Sequence, residues 1–164
     1  MSRLGIATRL YLLVGLSLFV VCAAMFLSLQ TSSEQLTEER KTLLQTVDDA
    51  ALSIVARQHA LEQSGTVTRA EAQRAALAEL KAIRYGDNGY IWVNDLDRVM
   101  LMHPIKPELD GQDLSGMKDP DGLAIFVEFV KVARAEKSGF VAYQWPKPGV
   151  AKPVAKLSHV VLFE

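Results

Sequence analysis

The sequence is poor in the residues that mark several common functions. It holds one cysteine, Cys22, and three histidines among 164 residues. A lone thiol forms no internal disulfide. His59, His103 and His159 lie too far apart in sequence for metal-ligand spacing. The stretch "DGQDLSG" has the look of a calcium loop, but Gln112 and Leu114 stand where oxygen-rich ligands are needed, and no closing Glu follows. No G-x-S-x-G, P-loop or dinucleotide fingerprint is present, so no catalytic residue, metal or cofactor is expected. With 18 Lys and Arg against 19 Asp and Glu the formal net charge is −1, and no basic run offers a nucleic acid a landing face.

Charge is also missing locally. From Leu10 to Leu29 the chain reads "LYLLVGLSLFVVCAAMFLSL", without one charged residue. About 20 residues at a helical rise of ~1.5 Å match the ~30 Å hydrocarbon layer of a bilayer. The run exceeds the usual signal-peptide core of about 7–15 residues, and no A-x-A site follows it, so an uncleaved anchor is expected. Arg3 and Arg9 precede the run, while Glu34, Glu38 and Glu39 follow it. The positive-inside rule then leaves residues 1–9 as a cytoplasmic stub and exports residues 30–164.

Beyond the apolar run the helical pattern continues. Leu29, Leu36, Leu43, Val47, Ala50, Ile54 and Leu61 form a stripe with steps of seven, four and three, and no proline or glycine breaks it before Gly65. Such a stripe serves packing on its own domain or a seam between two copies of the chain. Thr68 and Glu71 make a capping box for a second helix, whose face is Ala72, Ala76, Leu80 and Ile83. "RYGDNG" ends it. The period then switches to two: "YIWVN" and "VMLMH" flank the polar turn "DLDR", the pattern of a β-hairpin. An amphipathic helix follows over about Leu123–Glu136, and then two strands, "SGFVAYQW" and "KLSHVVLF". Helices and strands in this order describe an α+β domain with an antiparallel sheet. An edge strand at the last residues predicts further closing strands in a longer protein.

The hairpin carries the chemistry. Alternation puts Tyr90, Trp92 and Asn94 on one face, and pairing Asn94 with Val99 sets Trp92 opposite Leu101 and Tyr90 opposite His103. Ile91, Val93, Met100 and Met102 then share the other face, suited to helix packing. Tyr, Trp and His together suit a satisfied core network or the floor of a pocket for a small polar ligand.

The wording "RYGDNGYIWVNDLDRVMLMHPIKPELDGQDLSGMKDPDG", followed by "FVEFV", "GFVAYQWPKPG" and "PVAKLSHVVLF", resembles the single Cache domain of type 2 over roughly residues 36–164. This is a sensing module of bacterial transmembrane receptors, commonly methyl-accepting chemotaxis proteins. The resemblance implies a PAS-like antiparallel sheet packed against the long N-terminal helix, with a pocket for an organic acid of two or three carbons. Its motif positions fall on Tyr90, Trp92, His103, Pro104, Tyr143 and Lys156. Of these, Tyr90, His103, Tyr143 and Lys156 are donor types fit for a carboxylate, and Trp92 would limit pocket size. Arg84 and Tyr85 read either as additions to the pocket or as a helix cap, and Lys106 as an addition or a solvated loop charge.

The family pattern continues past Glu164 with final strands, a second membrane helix and usually a HAMP linker. The resemblance therefore implies a periplasmic sensor held in the inner membrane, a homodimer, and chemotaxis signalling proteins reached through downstream domains. A histidine kinase or diguanylate cyclase could follow the same sensor, or no output domain at all.

Overall fold

The computed structural model describes residues 5–163, in the first helix without the side chains of residues 6–11, 13–14, 27 and 29–34. The chain divides into two compact units, Met1–Thr42 and Leu43–Glu164. Helix α1 runs over Ile6–Gln63, as the uninterrupted pattern predicts. Within the N-terminal unit Leu16, Leu18, Phe19, Val20, Val21, Met25 and Phe26 are exposed. The expected span, Leu10–Leu29, falls in part on side chains outside the described ones. Among the described residues no helix is long and apolar enough to cross a membrane.

The second unit begins with the rest of α1. Ala51 is buried there, and Ile54 and Val55 pack with it against Leu80 and Met102. The predicted stripe divides at this point. Val47 and Ile54 turn partly inward, whereas Leu43 and Leu61 remain exposed. A seven-residue repeat drifts by ~20° per repeat around a straight helix, so one stripe cannot stay on one contact. Helix α2 (Arg69–Ala82) starts with the predicted capping box. Thr68 Oγ1 accepts the Glu71 N–H, and the Glu71 carboxylate accepts the Thr68 N–H at 2.8 Å. Ala72, Ala76 and Leu80 form its buried face.

Strand β1 (Arg84–Tyr85) pairs antiparallel with β2 (Gly89–Tyr90) in a two-residue ladder. Their approach requires Gly89, since a Cβ there would come within 2.3 Å of the Tyr85 ring. The predicted hairpin therefore starts later, between β3 (Val93–Asn94) and β4 (Met100–Met102). Its turn is held by Asp95, whose carboxylate accepts the N–H groups of Asp97 and Val99.

Register differs from expectation. Asn94 lies opposite Met100 and Val93 opposite Met102, and Tyr90 pairs with Arg84 instead of His103. Leu101 is the extra residue of a bulge and stays 46% exposed. A bulge re-aims side chains, which here sends two methionines predicted to share a face into different cores. Met102 joins Ile91 and Val93 against the helices, as expected; Met100 joins the aromatic core on the other side.

A 3-10 turn over Pro107–Leu109 leads through a long loop to α3 (Ile125–Glu136). Asp119 pins that loop: its carboxylate accepts N–H groups from Asp121, Leu123 and, on the neighbouring strand, Gln144. Burial raises the Asp119 pKa, but these donors outweigh it and hold the carboxyl below its ordinary range. Strands β5 (Ser138–Pro146) and β6 (Pro153–Val161) form the longest ladder, pairing Tyr143 with Lys156. The antiparallel strands thus make three separate two-stranded ladders among the described residues, not one sheet. Between β3 and β6 lies a groove of ≈ 710 Å³, with Ile91–Leu96 on one wall, Ser158–Phe163 on another, and α1 and α2 closing it.

Candidate functional site

The aromatic core is built from four elements. From β2 and the segment after it come Tyr90 and Trp92; His103 follows β4; Phe126 and Phe129 stand on α3; Tyr143 and Trp145 stand on β5. These seven line one small cavity. The space left at its centre is ≈ 10 Å³, about one water.

The Tyr90 and His103 rings meet with centroids 5.1 Å apart, although their backbones are not paired. His103 is 2% exposed, and its Nδ1 accepts N–H groups from Ile105 at 3.2 Å and Lys106 at 2.9 Å. Backbone amides only donate, so Nδ1 carries no proton and the imidazole N–H is at Nε2. Burial, with Lys156 and Lys106 nearby, lowers the His103 pKa to about 4, which keeps the ring neutral at physiological pH. The loop that begins at Pro104 is fastened at its far end as well, because Asp110 accepts the His103 N–H at 2.7 Å.

Lys156 is half-buried, with its ammonium 4.0 Å from the Tyr90 ring centre and 5.8 Å from that of Trp92. Burial pulls its pKa down to about 8. Among the described residues it faces aromatic surfaces and has no carboxylate partner. Burial also pushes the Tyr90 phenol up to about 12, despite the Trp145 indole beside it. Tyr143 is buried and hydrogen-bonded to Ser158 Oγ at 3.0 Å, and desolvation raises its pKa further.

Of the sequence-predicted residues, Tyr90, Trp92, His103 and Tyr143 are thus brought together, with Lys156 against two of them. Pro104 does not line the cavity; it follows His103 and starts the loop. Arg84 is exposed and caps α2, donating to the Lys81 and Ile83 carbonyls. Tyr85 lines the larger groove, with its hydroxyl 3.5 Å from the Tyr90 carbonyl oxygen. The Lys106 ammonium lies 4.7 Å from the Trp145 ring centre.

Sequence reasoning missed Phe126, Phe129, Trp145 and Ser158. Alternation could have found two of them, since Trp145 shares a strand face with Tyr143, and Ser158 shares one with Lys156. Phe126 and Phe129, three apart on an amphipathic helix, needed the tertiary fold.

Comparison with known proteins places this geometry. Over 164 residues the chain is 39% identical to McpP, a methyl-accepting chemotaxis protein of Pseudomonas putida, and spans 30% of its length. Over 82% of the chain it is 29% identical to MctS, a sensor histidine kinase of Rhizobium johnstonii, covering 28% of that protein. Among solved structures, a Cache chemosensory domain studied for carboxylic acid recognition aligns with a TM-score of 0.77 at 45% identity, over 80% of this chain and 89% of that one. A periplasmic sensor domain of a chemotaxis protein aligns with a TM-score of 0.75 at 48% identity, over 77% and 88% respectively. The Single Cache domain 2 family matches residues 36–164, and the chain belongs to that family.

Proposed function

We propose that residues 30–164 are the extracytoplasmic sensor of a transmembrane chemoreceptor and bind a carboxylate of two or three carbons. The observation that carries this reading is Lys156, a cation set among aromatic rings beside the neutral His103 and the Tyr90 phenol. A small carboxylate supplies what the group lacks, a negative charge that accepts from an ammonium, an imidazole N–H and a phenol at once. Recognition of carboxylic acids by a related Cache domain supports the same choice. Trp92, Phe129 and Trp145 restrict the acid to a short chain.

Leu10–Leu29 is the anchor in this reading, with the N-terminus in the cytoplasm. Its exposed apolar side chains Phe19, Val20, Met25 and Phe26 support burial in lipid. Two copies would pair through the exposed leucines of α1, and the signal would reach chemotaxis proteins through domains beyond this chain. The likeness to a sensor histidine kinase favours a kinase as the alternative output.

Calorimetric titration with acetate, propionate, pyruvate and lactate, each against its uncharged amide, tests the reading. Saturable binding of an acid and none of its amide is expected. Equal heats for acid and amide would sink it.

A further inference from the structure

Strand β6 bears on two different partners through adjacent residues. Ser158 turns to the aromatic core and bonds Tyr143, while His159 turns to the opposite face. There its Nδ1 lies 2.8 Å from Asp48 Oδ2 of α1, with the two side chains only 8% and 17% exposed. The Phe140 ring covers the imidazole from β5 at 4.6 Å. Bonds from Arg57, Gln58 and Glu62 run instead from α1 to Glu79 and Arg69 of α2. Asp48–His159 therefore ties the helix directly to the strand that carries Lys156 and Ser158.

We propose that the Asp48–His159 pair couples β6 to α1, so that a shift of β6 at the acid site is passed to the helix through this bond. A buried polar pair suits that task, because a hydrogen bond between two groups largely removed from water is directional and costly to leave unmade. Sliding apolar contacts, such as those of Ile54 and Val55, tolerate small displacements without such a penalty. Besides His159, Asp49 of α1 is the ionisable group acting on Asp48, and Tyr85 of β1 is one that Asp48 acts on. Asp49 adds a like charge, and the Tyr85 phenol is raised by its own burial and by Asp48. The coupling stands on the β6–α1 geometry; only its response to an acid rests on the proposed function.

The test is a double-mutant cycle on the full chain with Asp48→Asn, His159→Gln and both, read by amide hydrogen exchange over residues 44–52 and 157–161. Each single variant is expected to speed exchange in both segments about tenfold. The double variant should be no faster than either single, since each already breaks the same bond. Additive effects, or effects confined to the mutated segment, would overturn the coupling. Should His159→Gln fail to fold, Asp48→Asn carries the same two-segment readout alone. A second arm adds acetate or propionate. Wild-type α1 should gain protection, and His159→Gln should bind within about threefold of wild type yet show no change in α1. An α1 response that survives in His159→Gln counts against the proposal. If no acid binds wild type while the cycle still shows coupling, the acid-sensing reading fails and the β6–α1 bond stands.

Discussion

Lys156 holds its ammonium over the face of Tyr90, 4.0 Å from the ring centre, where an acid would otherwise be expected to pair with it. A cation–π contact of this kind offsets only part of the lost hydration. That imbalance is why burial lowers the Lys156 pKa to about 8.

Removing the charge should therefore separate binding from stability. In Lys156→Met acid affinity is expected to fall by about 100-fold, with the loss read by calorimetry. The empty protein should become more stable by roughly 1–2 kcal/mol, allowing for the solvent screening a half-buried ammonium retains. The sign follows from linkage: the folded state holds its proton less tightly than the unfolded chain, so the penalty is full below about pH 8 and relieved between there and the ordinary lysine range. Acid affinity in wild type should run the other way, flat at neutrality and falling as pH rises through about 8. Affinity that keeps rising above pH 9 would exclude Lys156 as the cation.

On the proposed function His103 would have two jobs, holding the loop through Nδ1 and meeting the acid through Nε2, and substitution can part them. Asparagine reproduces an acceptor near Nδ1 and keeps the Ile105 and Lys106 amides satisfied, whereas glutamine reaches nearer to Nε2. His103→Asn is expected to keep the loop after Pro104 protected from exchange and to lose about 10- to 100-fold in acid affinity. His103→Gln should retain more binding and loosen the loop. Identical behaviour of the two variants would mean that the nitrogens do not divide the work.

The same histidine predicts acid sensitivity. Its folded pKa of about 4 lies below the ordinary imidazole value, so the neutral ring is fully stabilising above about pH 6.5. That contribution is lost as pH falls through about 4, and stability should drop by roughly 2–3 kcal/mol across that window. Urea melts at pH 7 and pH 4.5 of wild type and His103→Asn measure it. The drop should be smaller in the variant.

Two tyrosines should answer differently to loss of a hydroxyl. Tyr143→Phe strips Ser158 Oγ of a buried partner, so melting without ligand should show a loss of about 1–2 kcal/mol. Tyr90→Phe should leave the empty protein nearly unchanged and weaken acid binding by about tenfold. A large loss of stability in Tyr90→Phe would assign Tyr90 to the core instead of the ligand.

The sequence made the elements of this fold legible wherever one local rule decided. The Thr68–Glu71 box marked the start of α2, and the apolar residues of "SGFVAYQW" marked β5. It did not disclose the bulge at Leu101, because "VMLMH" alternates as well as any straight strand. Only the competing demands of two cores divide Met100 from Met102. Of the two roles left open for Arg84, the fold takes the helix cap. Arg84 meets the last carbonyls of α2 first, while the pairing of β5 with β6 carries Lys156 over Tyr90. The Tyr90–His103 contact was anticipated through a register that the fold does not use. Ring size brings them together where backbone pairing does not.

On the proposed function, the ≈ 10 Å³ left among the rings of the aromatic core would have a kinetic meaning. Acetate is several times larger than one water, so on the proposed function an acid using this cavity would require the surrounding rings and the loop after His103 to move aside. If the open form holds roughly 1% of the molecules, apparent affinity is about 100-fold weaker than that of the open form itself. Association is slowed in the same proportion when opening comes first. On that reading, the threshold for an acid would be set as much by the packing of Phe129, Trp145 and His103 against one another as by any atom that touches the ligand.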